Sequence, residues 1–182
     1  MEGKNTAFDY IRQNNFLLFY KIMYSLIPIQ QNQFETFFAL IEELADFEAL
    51  ARPDADAKSR LKQDICGDQP RITAYLIETD DHFCGYVITF QSYSSFLAKP
   101  TLYLEDIYIQ PNFRGKGIGK SIMKILVQFA LEQGCGRMEW VVLDWNTSAQ
   151  EFYHGLGAVH MKEWFPFRLT EEAMKQLINK KL

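Results

Sequence analysis

"LYLEDIYIQPNFRGKGIGKSIMKILVQFA" (residues 102–130) runs through a strand period, a glycine-rich turn and a helix period in succession. "LYLEDIYI" reads as a strand, Gly115, Gly117 and Gly119 follow at alternate positions, and Ile118, Ile122, Ile125, Leu126 and Phe129 then recur at helical spacing. A strand, a glycine turn and a helix start together aim several backbone N–H groups at one point, which is an anion cradle. The ligand expected there carries phosphate. A Walker loop requires G-x-x-x-x-G-K-[ST]; Gly119, Lys120 and Ser121 supply its end, but its first glycine position falls on Arg114. A dinucleotide fingerprint requires G-x-G-x-x-G, and its third glycine falls on Lys120 or on Ile122, depending on the starting glycine. Neither spacing holds, which leaves Arg114-Gly115-Lys116-Gly117-Ile118-Gly119 as a phosphate loop of another kind.

Outward from this loop, strand and helix periods alternate without a repeat or low-complexity tract, so a mixed sheet flanked by helices is expected, an α/β (α+β) class. "YSLIPIQ" reads as a short strand. "NQFETFFALIEELADFEAL" reads as an amphipathic helix with acidic residues along one edge, and "DADAKSRLKQDIC" as a more polar one ending at Gly67. "RITAYLIET" and "FCGYVITFQSY" flank the turn former "DDH" as an antiparallel hairpin. Downstream of the loop helix, "RMEWVVLDW" reads as a strand, "NTSAQEFYHGL" as a short helix, and "AVHMKEWFPFRL" as a last strand before a charged helical tail. Glu105 and Asp106 stand out, because carboxylates in a central strand require a reason. Strict alternation sends them to opposite faces.

The chain has 182 residues, 48% hydrophobic, which suits one core; residues 1–22 read as an N-terminal extension and residues 23–182 as one domain. A formal net charge of −4 offers no basic field for nucleic acid or an acidic membrane surface. The apolar run at residues 16–29 is broken by Lys21 and is shorter than the roughly 20 residues of a membrane span. Cys66, Cys84 and Cys135, with His82, His154 and His160, are too scattered for a zinc site, so no metal is expected. The cysteines read as free thiols of a cytoplasmic protein.

"YLEDIYIQPNFRGKGIG", "VLDWN" and "FYHGLGA", with "IEELADFE" upstream, resemble in order and spacing the GNAT superfamily of N-acetyltransferases. Within it they are similar to the diamine (spermidine/spermine) and thialysine N-acetyltransferase branch. The resemblance implies acetyl-CoA as co-substrate, a small primary amine as acceptor, a GNAT fold, and a homodimer that exchanges C-terminal elements. It implies that Glu105 acts as general base and Tyr153 as general acid toward the departing thiolate. It further implies that the backbone of Ile107, Tyr108 and Ile109 pairs with the pantetheine arm, and that Arg114, Gly115, Lys116, Gly117, Ile118, Gly119 and Lys120 cradle the pyrophosphate. Asn146 would contact the pantetheine or cap the short helix, and both uses stay open. Phe47 and Glu48 match the family's aromatic and acidic pair for a cationic amine, and Asp106 would help to shape the acceptor site. Departing from the polyamine branch, "SYSSFLAKP" (residues 92–100) holds Ser94, Ser95 and Phe96 where an acidic residue and a tryptophan precede the strand, which favours a small amine over spermidine. Two other readings remain: a peptide or protein amine acetyltransferase, and a non-catalytic acyl-CoA sensor.

Overall fold

The computed structural model describes residues 24–80 and 82–180. The N-terminal extension expected at residues 1–22, like the proposed domain start at Met23, lies outside the described residues. Two compact units make up the described chain, one ending at Val141 and one beginning at Val142.

The first unit is a five-stranded sheet of order β1-β2-β3-β4-β5: β1 (Ser25–Pro28), β2 (Thr73–Thr79), β3 (His82–Ser94), β4 (Lys99–Ile109) and β5 (Arg137–Glu139). β1 to β4 pair antiparallel and β5 joins β4 in parallel. Helix α1 (Phe34–Phe47) follows β1 through a 3-10 turn, and α2 (Ala55–Cys66) begins at Asp54, whose carboxylate accepts the Ala57 N–H at 2.7 Å. Phe34, Phe37, Phe38 and Leu40 of α1 form a core with Ala74 and Leu76 of β2, Tyr86 and Ile88 of β3 and Tyr108 of β4. Each of the phenylalanine, leucine and isoleucine side chains contributes about 1.5–3 kcal/mol by leaving water. By alternation Val87 and Thr89, with their partners Ile107 and Leu104 across the ladder, lie on the other face. There α3 (Ile118–Glu132) runs against β4 and β5 and buries Ile118, Ile122, Met123, Leu126 and Ala130.

Two departures from strict pairing matter for the site. Ile88 pairs with Asp106 but Thr89 pairs with Leu104, so Glu105 is the extra residue of a β-bulge. β5 accompanies β4 only over Thr101 to Tyr103. From Leu104 onward that edge of β4 carries no partner strand among the described residues.

The second unit contains α4 (Thr147–Gly155) and α5 (Glu171–Asn179). Two expectations are corrected around it. "RMEWVVLDW" forms a strand only at Arg137–Glu139, and "AVHMKEWFPFRL" forms no strand. Val159, Trp164, Phe165 and Phe167 there are exposed, and β-branched and aromatic residues become a strand only where an edge and a half-buried face receive them.

Candidate functional site

The glycine loop begins where β4 ends. Gln110 leads into a 3-10 turn, Pro111–Phe113, which delivers the chain to Arg114. Gly115 has φ of 76° and Gly117 φ of 82°, the left-handed region in which an L side chain is strained. Both glycines face open space where a Cβ would stand, so the backbone angle alone demands them. Gly117 caps α3 without a side-chain hydrogen bond, and the first intrahelical amide to pair is Ser121, to the Gly117 carbonyl at 3.1 Å. The amides of Ile118, Gly119 and Lys120 therefore lie ahead of the helix ladder, at the positive end of its dipole. Such a terminus accepts a diphosphate without a capping carboxylate to displace. Tyr24 steadies the turn by donating from Oη to the Lys116 carbonyl at 3.3 Å.

The open edge of β4 covers Ile107, Tyr108 and Ile109. Their backbone on that side has no neighbouring strand among the described residues, which suits pairing with an extended, amide-bearing ligand arm. Arg114 turns back over the strand end: its Nε donates to the Ile109 carbonyl at 2.7 Å, and its guanidinium carbon stands 4.8 Å from the Phe47 ring centroid and 5.6 Å from that of Tyr108. The loop arginine is thus in contact with the end of α1.

Beside this edge lies an acidic group. Tyr86 donates its phenolic hydrogen to Asp106 Oδ2 at 3.2 Å. Burial, then the neighbouring Glu105, pushes the Asp106 carboxyl up to about 6, against the lowering by the Tyr86 hydrogen bond; Glu48 adds to the rise. Burial also raises the Glu48 carboxyl. Glu105 is the extra residue at the bulge, so strict two-residue alternation does not carry across Glu105 and Asp106, and the nearby Glu105 charge adds to the rise of the Asp106 carboxyl. Glu48, Glu105 and Asp106 make a region that favours a cation. Ser94, read from sequence at a missing acidic position, is buried, and its Oγ accepts the Leu97 N–H at 3.3 Å. Phe96 stands almost fully exposed at that hairpin tip.

Sequence reasoning missed three residues here. Glu43 receives the Tyr108 phenol at 3.2 Å and the Gln110 side-chain amide at 3.0 Å. Tyr86 holds Asp106. The acidic edge of α1 was the available signal for Glu43, which lies one helical turn before Phe47.

In the second unit, Asn146 caps α4, its side-chain oxygen accepting the Ala149 N–H at 3.1 Å. Tyr153 lies on α4 with its ring 5.1 Å from that of Phe152, and burial pushes its phenol up to about 12. It holds its proton at neutral pH. Among the described residues no cluster of three or more His, Cys, Asp or Glu is arranged to hold a metal ion. No described helix is long and apolar enough to cross a membrane.

A sequence profile of the Acetyltransferase (GNAT) family matches residues 36–158. Thialysine N-epsilon-acetyltransferase of Bos taurus is 36% identical over 152 residues, covering 78% of this chain and 89% of its own. L-ornithine N5-acetyltransferase of Arabidopsis thaliana is 43% identical over 93 residues, 51% of this chain and 41% of its own. Among solved structures, an integron cassette protein of V. cholerae superposes with a TM-score of 0.73 at 18% identity, over 87% of this chain and 99% of its own. An aminoglycoside N-acetyltransferase in complex with CoA superposes with a TM-score of 0.66 at 19% identity, over 80% and 94%.

Proposed function

The chain belongs to the acetyltransferase (GNAT) family and is an acetyl-CoA-dependent N-acetyltransferase, and from that premise we propose that its acceptor is the primary amine of a small cationic molecule, an amino acid of the thialysine, lysine or ornithine kind or a short diamine. The observation that carries this reading is the grouping of Glu48, Glu105 and Asp106, whose mutual effects on the Asp106 carboxyl mark a region that an ammonium group relieves. The relatives named for thialysine and ornithine acetylation support it.

Acetyl-CoA supplies the acetyl group as a thioester. The amides of Gly115 to Lys120 take its diphosphate, and the open edge from Ile107 to Ile109 takes its amide arm. A primary ammonium of pKa near ~10 is almost wholly protonated at neutral pH, so its proton must leave before nitrogen can attack. Glu105 accepts that proton, directly or through water. Glu105 passes that proton on to solvent, and as the N–C bond forms the nitrogen releases its second proton by the same route. As the C–S bond breaks, Tyr153 gives its proton to the departing sulfur, and the phenolate takes up a proton from solvent. Transfer is direct, with no acylated cysteine. We further infer a homodimer, supported by the exposed Trp164, Phe165 and Phe167, and a cytoplasmic location.

The test is release of free CoA from acetyl-CoA by the purified protein with thialysine, lysine, ornithine, putrescine, spermidine and an N-terminal peptide side by side. Preference for one small amine is the expected result. Preference for the peptide would move the assignment to protein acetylation, and acetyl-CoA binding with no turnover would point to a sensor.

A further inference from the structure

The Glu43 carboxylate takes no part in the chemistry above, yet three hydrogen bonds converge on it from 65 and 67 residues away. Tyr108 Oη donates to its Oε2 at 3.2 Å, and Gln110 Nε2 lies 3.0 Å from each oxygen. Tyr108 lies in the open edge of β4, and Gln110 starts the turn into the glycine loop. One helical turn beyond Glu43, Phe47 lies under the Arg114 guanidinium, and Glu48 follows at the helix end. A chain of contacts therefore runs from the end of α1 through Glu43 and Tyr108 to Arg114, with Gln110 bonded to the same carboxylate.

The two ends of this chain are not held equally. The glycine loop has anchors of its own in the Tyr24 bond to the Lys116 carbonyl and the Arg114 bond to the Ile109 carbonyl, and β4 is paired along its length with β3. The last turn of α1, whose Leu44 and Ala45 pack toward the core, hands over to the irregular stretch at residues 48–54, and the Glu43 carboxylate and the Phe47 ring join it to the strand end. We propose that Glu43 is a positioning residue that fixes the Phe47 and Glu48 end of α1 against the coenzyme edge, so that the acceptor amine meets a site whose distance from the coenzyme is already set. The inference rests on the proposed function, because Phe47 and Glu48 are taken as acceptor groups and the loop as the coenzyme site.

Glu43→Ala and Glu43→Gln test it, with steady-state kinetics against thialysine and ornithine, acetyl-CoA binding by calorimetry and thermal unfolding in parallel. Glu43→Ala is expected to raise the amine KM by about tenfold, the scale of a lost hydrogen bond to a charged group, while acetyl-CoA affinity stays within about twofold. Glu43→Gln, which keeps a carbonyl oxygen for Tyr108, should recover most of the loss. If Glu43→Ala does not fold, the pair Tyr108→Phe and Gln110→Ala removes the same bonds from the other side, and the same split is expected. An unchanged amine KM overturns the proposal. So does a parallel loss of amine and acetyl-CoA affinity with a lowered melting temperature, which is the signature of a merely structural bond. Wild-type protein that binds acetyl-CoA but turns over neither amine would sink the acceptor assignment and this inference with it. Failure to bind acetyl-CoA would sink the coenzyme site first.

Discussion

Tyr153 and Asp106 both become anions on losing a proton and are both pushed up by burial; the consequences differ because the phenol's ordinary value already lies above neutral pH and the carboxyl's lies below it. For Tyr153 the shift to about 12 keeps the donor loaded at every working pH. Tyr153→Phe is therefore expected to lower kcat by about 10²–10⁴, the usual worth of a positioned acid, and to leave acetyl-CoA affinity near the wild-type value; calorimetry beside stopped-time assays separates the two. Glu105→Gln removes the proposed base and should lower kcat by about 10²–10⁴ while acetyl-CoA affinity is kept, so unchanged turnover would return the role to another group. For Asp106 the effect falls on stability. Its carboxyl rises from 3.8 to about 6 on folding, so between those values the folded chain holds a proton that the unfolded chain has released. This contribution to stability is complete below the unfolded value and disappears as the pH climbs through the folded one. Asp106→Asn should accordingly be more stable than wild type at pH 8 by about 1–3 kcal/mol and show no such gain at pH 4, read as urea midpoints at the two pH values.

At the scale of elements, the glycine loop was legible in the sequence because its demands are local. Gly117 must take φ of 82°, and no side chain elsewhere alters that. Gly117→Ala meets no clash in the space its Cβ would fill, so its cost is the left-handed backbone, about 1–2 kcal/mol. If the chain relaxes by swinging the amides of Ile118 and Gly119 away, acetyl-CoA affinity falls by about tenfold with little change in the amine KM, measurable by titration of acetyl-CoA. What was not legible depends on pairing between distant segments. The string "LYLEDIYI" alternates well enough to predict β4, but the bulge at Glu105 is a property of its register with β3, and only the paired strands reveal it. Glu43 belongs to the same class: it sits on a helix that was predicted, yet its partners lie on another element. The segment "AVHMKEWFPFRL" failed in the opposite sense, since its residues favour a strand by propensity while the segment forms none.

At the scale of the whole molecule, the unresolved balance is between charge and apolar surface. Each chain carries a formal net charge of −4, so two copies repel, but weakly, and salt at physiological strength screens that repulsion beyond about 8 Å. Against it stands the apolar surface of the second unit, where Trp164 is 72%, Phe165 77% and Phe167 96% exposed within four residues, with Leu177 and Ile178 of α5 also exposed. A monomer rarely keeps such a run in water, and aromatic side chains are the ones that anchor interfaces. Light scattering coupled to size exclusion is expected to give the mass of two chains at micromolar concentration. Because burial of apolar area drives the association, 1 M salt should leave the dimer intact, whereas Phe165→Asp with Phe167→Asp should yield a monomer. A wild-type monomer across that concentration range would refute the dimer, and a dimer that dissociates at 1 M salt would place its interface on charged surfaces instead. Acetyl-CoA binding by the monomeric double variant would then say whether assembly is needed for the coenzyme site, which the loop's own anchors at Tyr24 and Arg114 lead us to expect it is not.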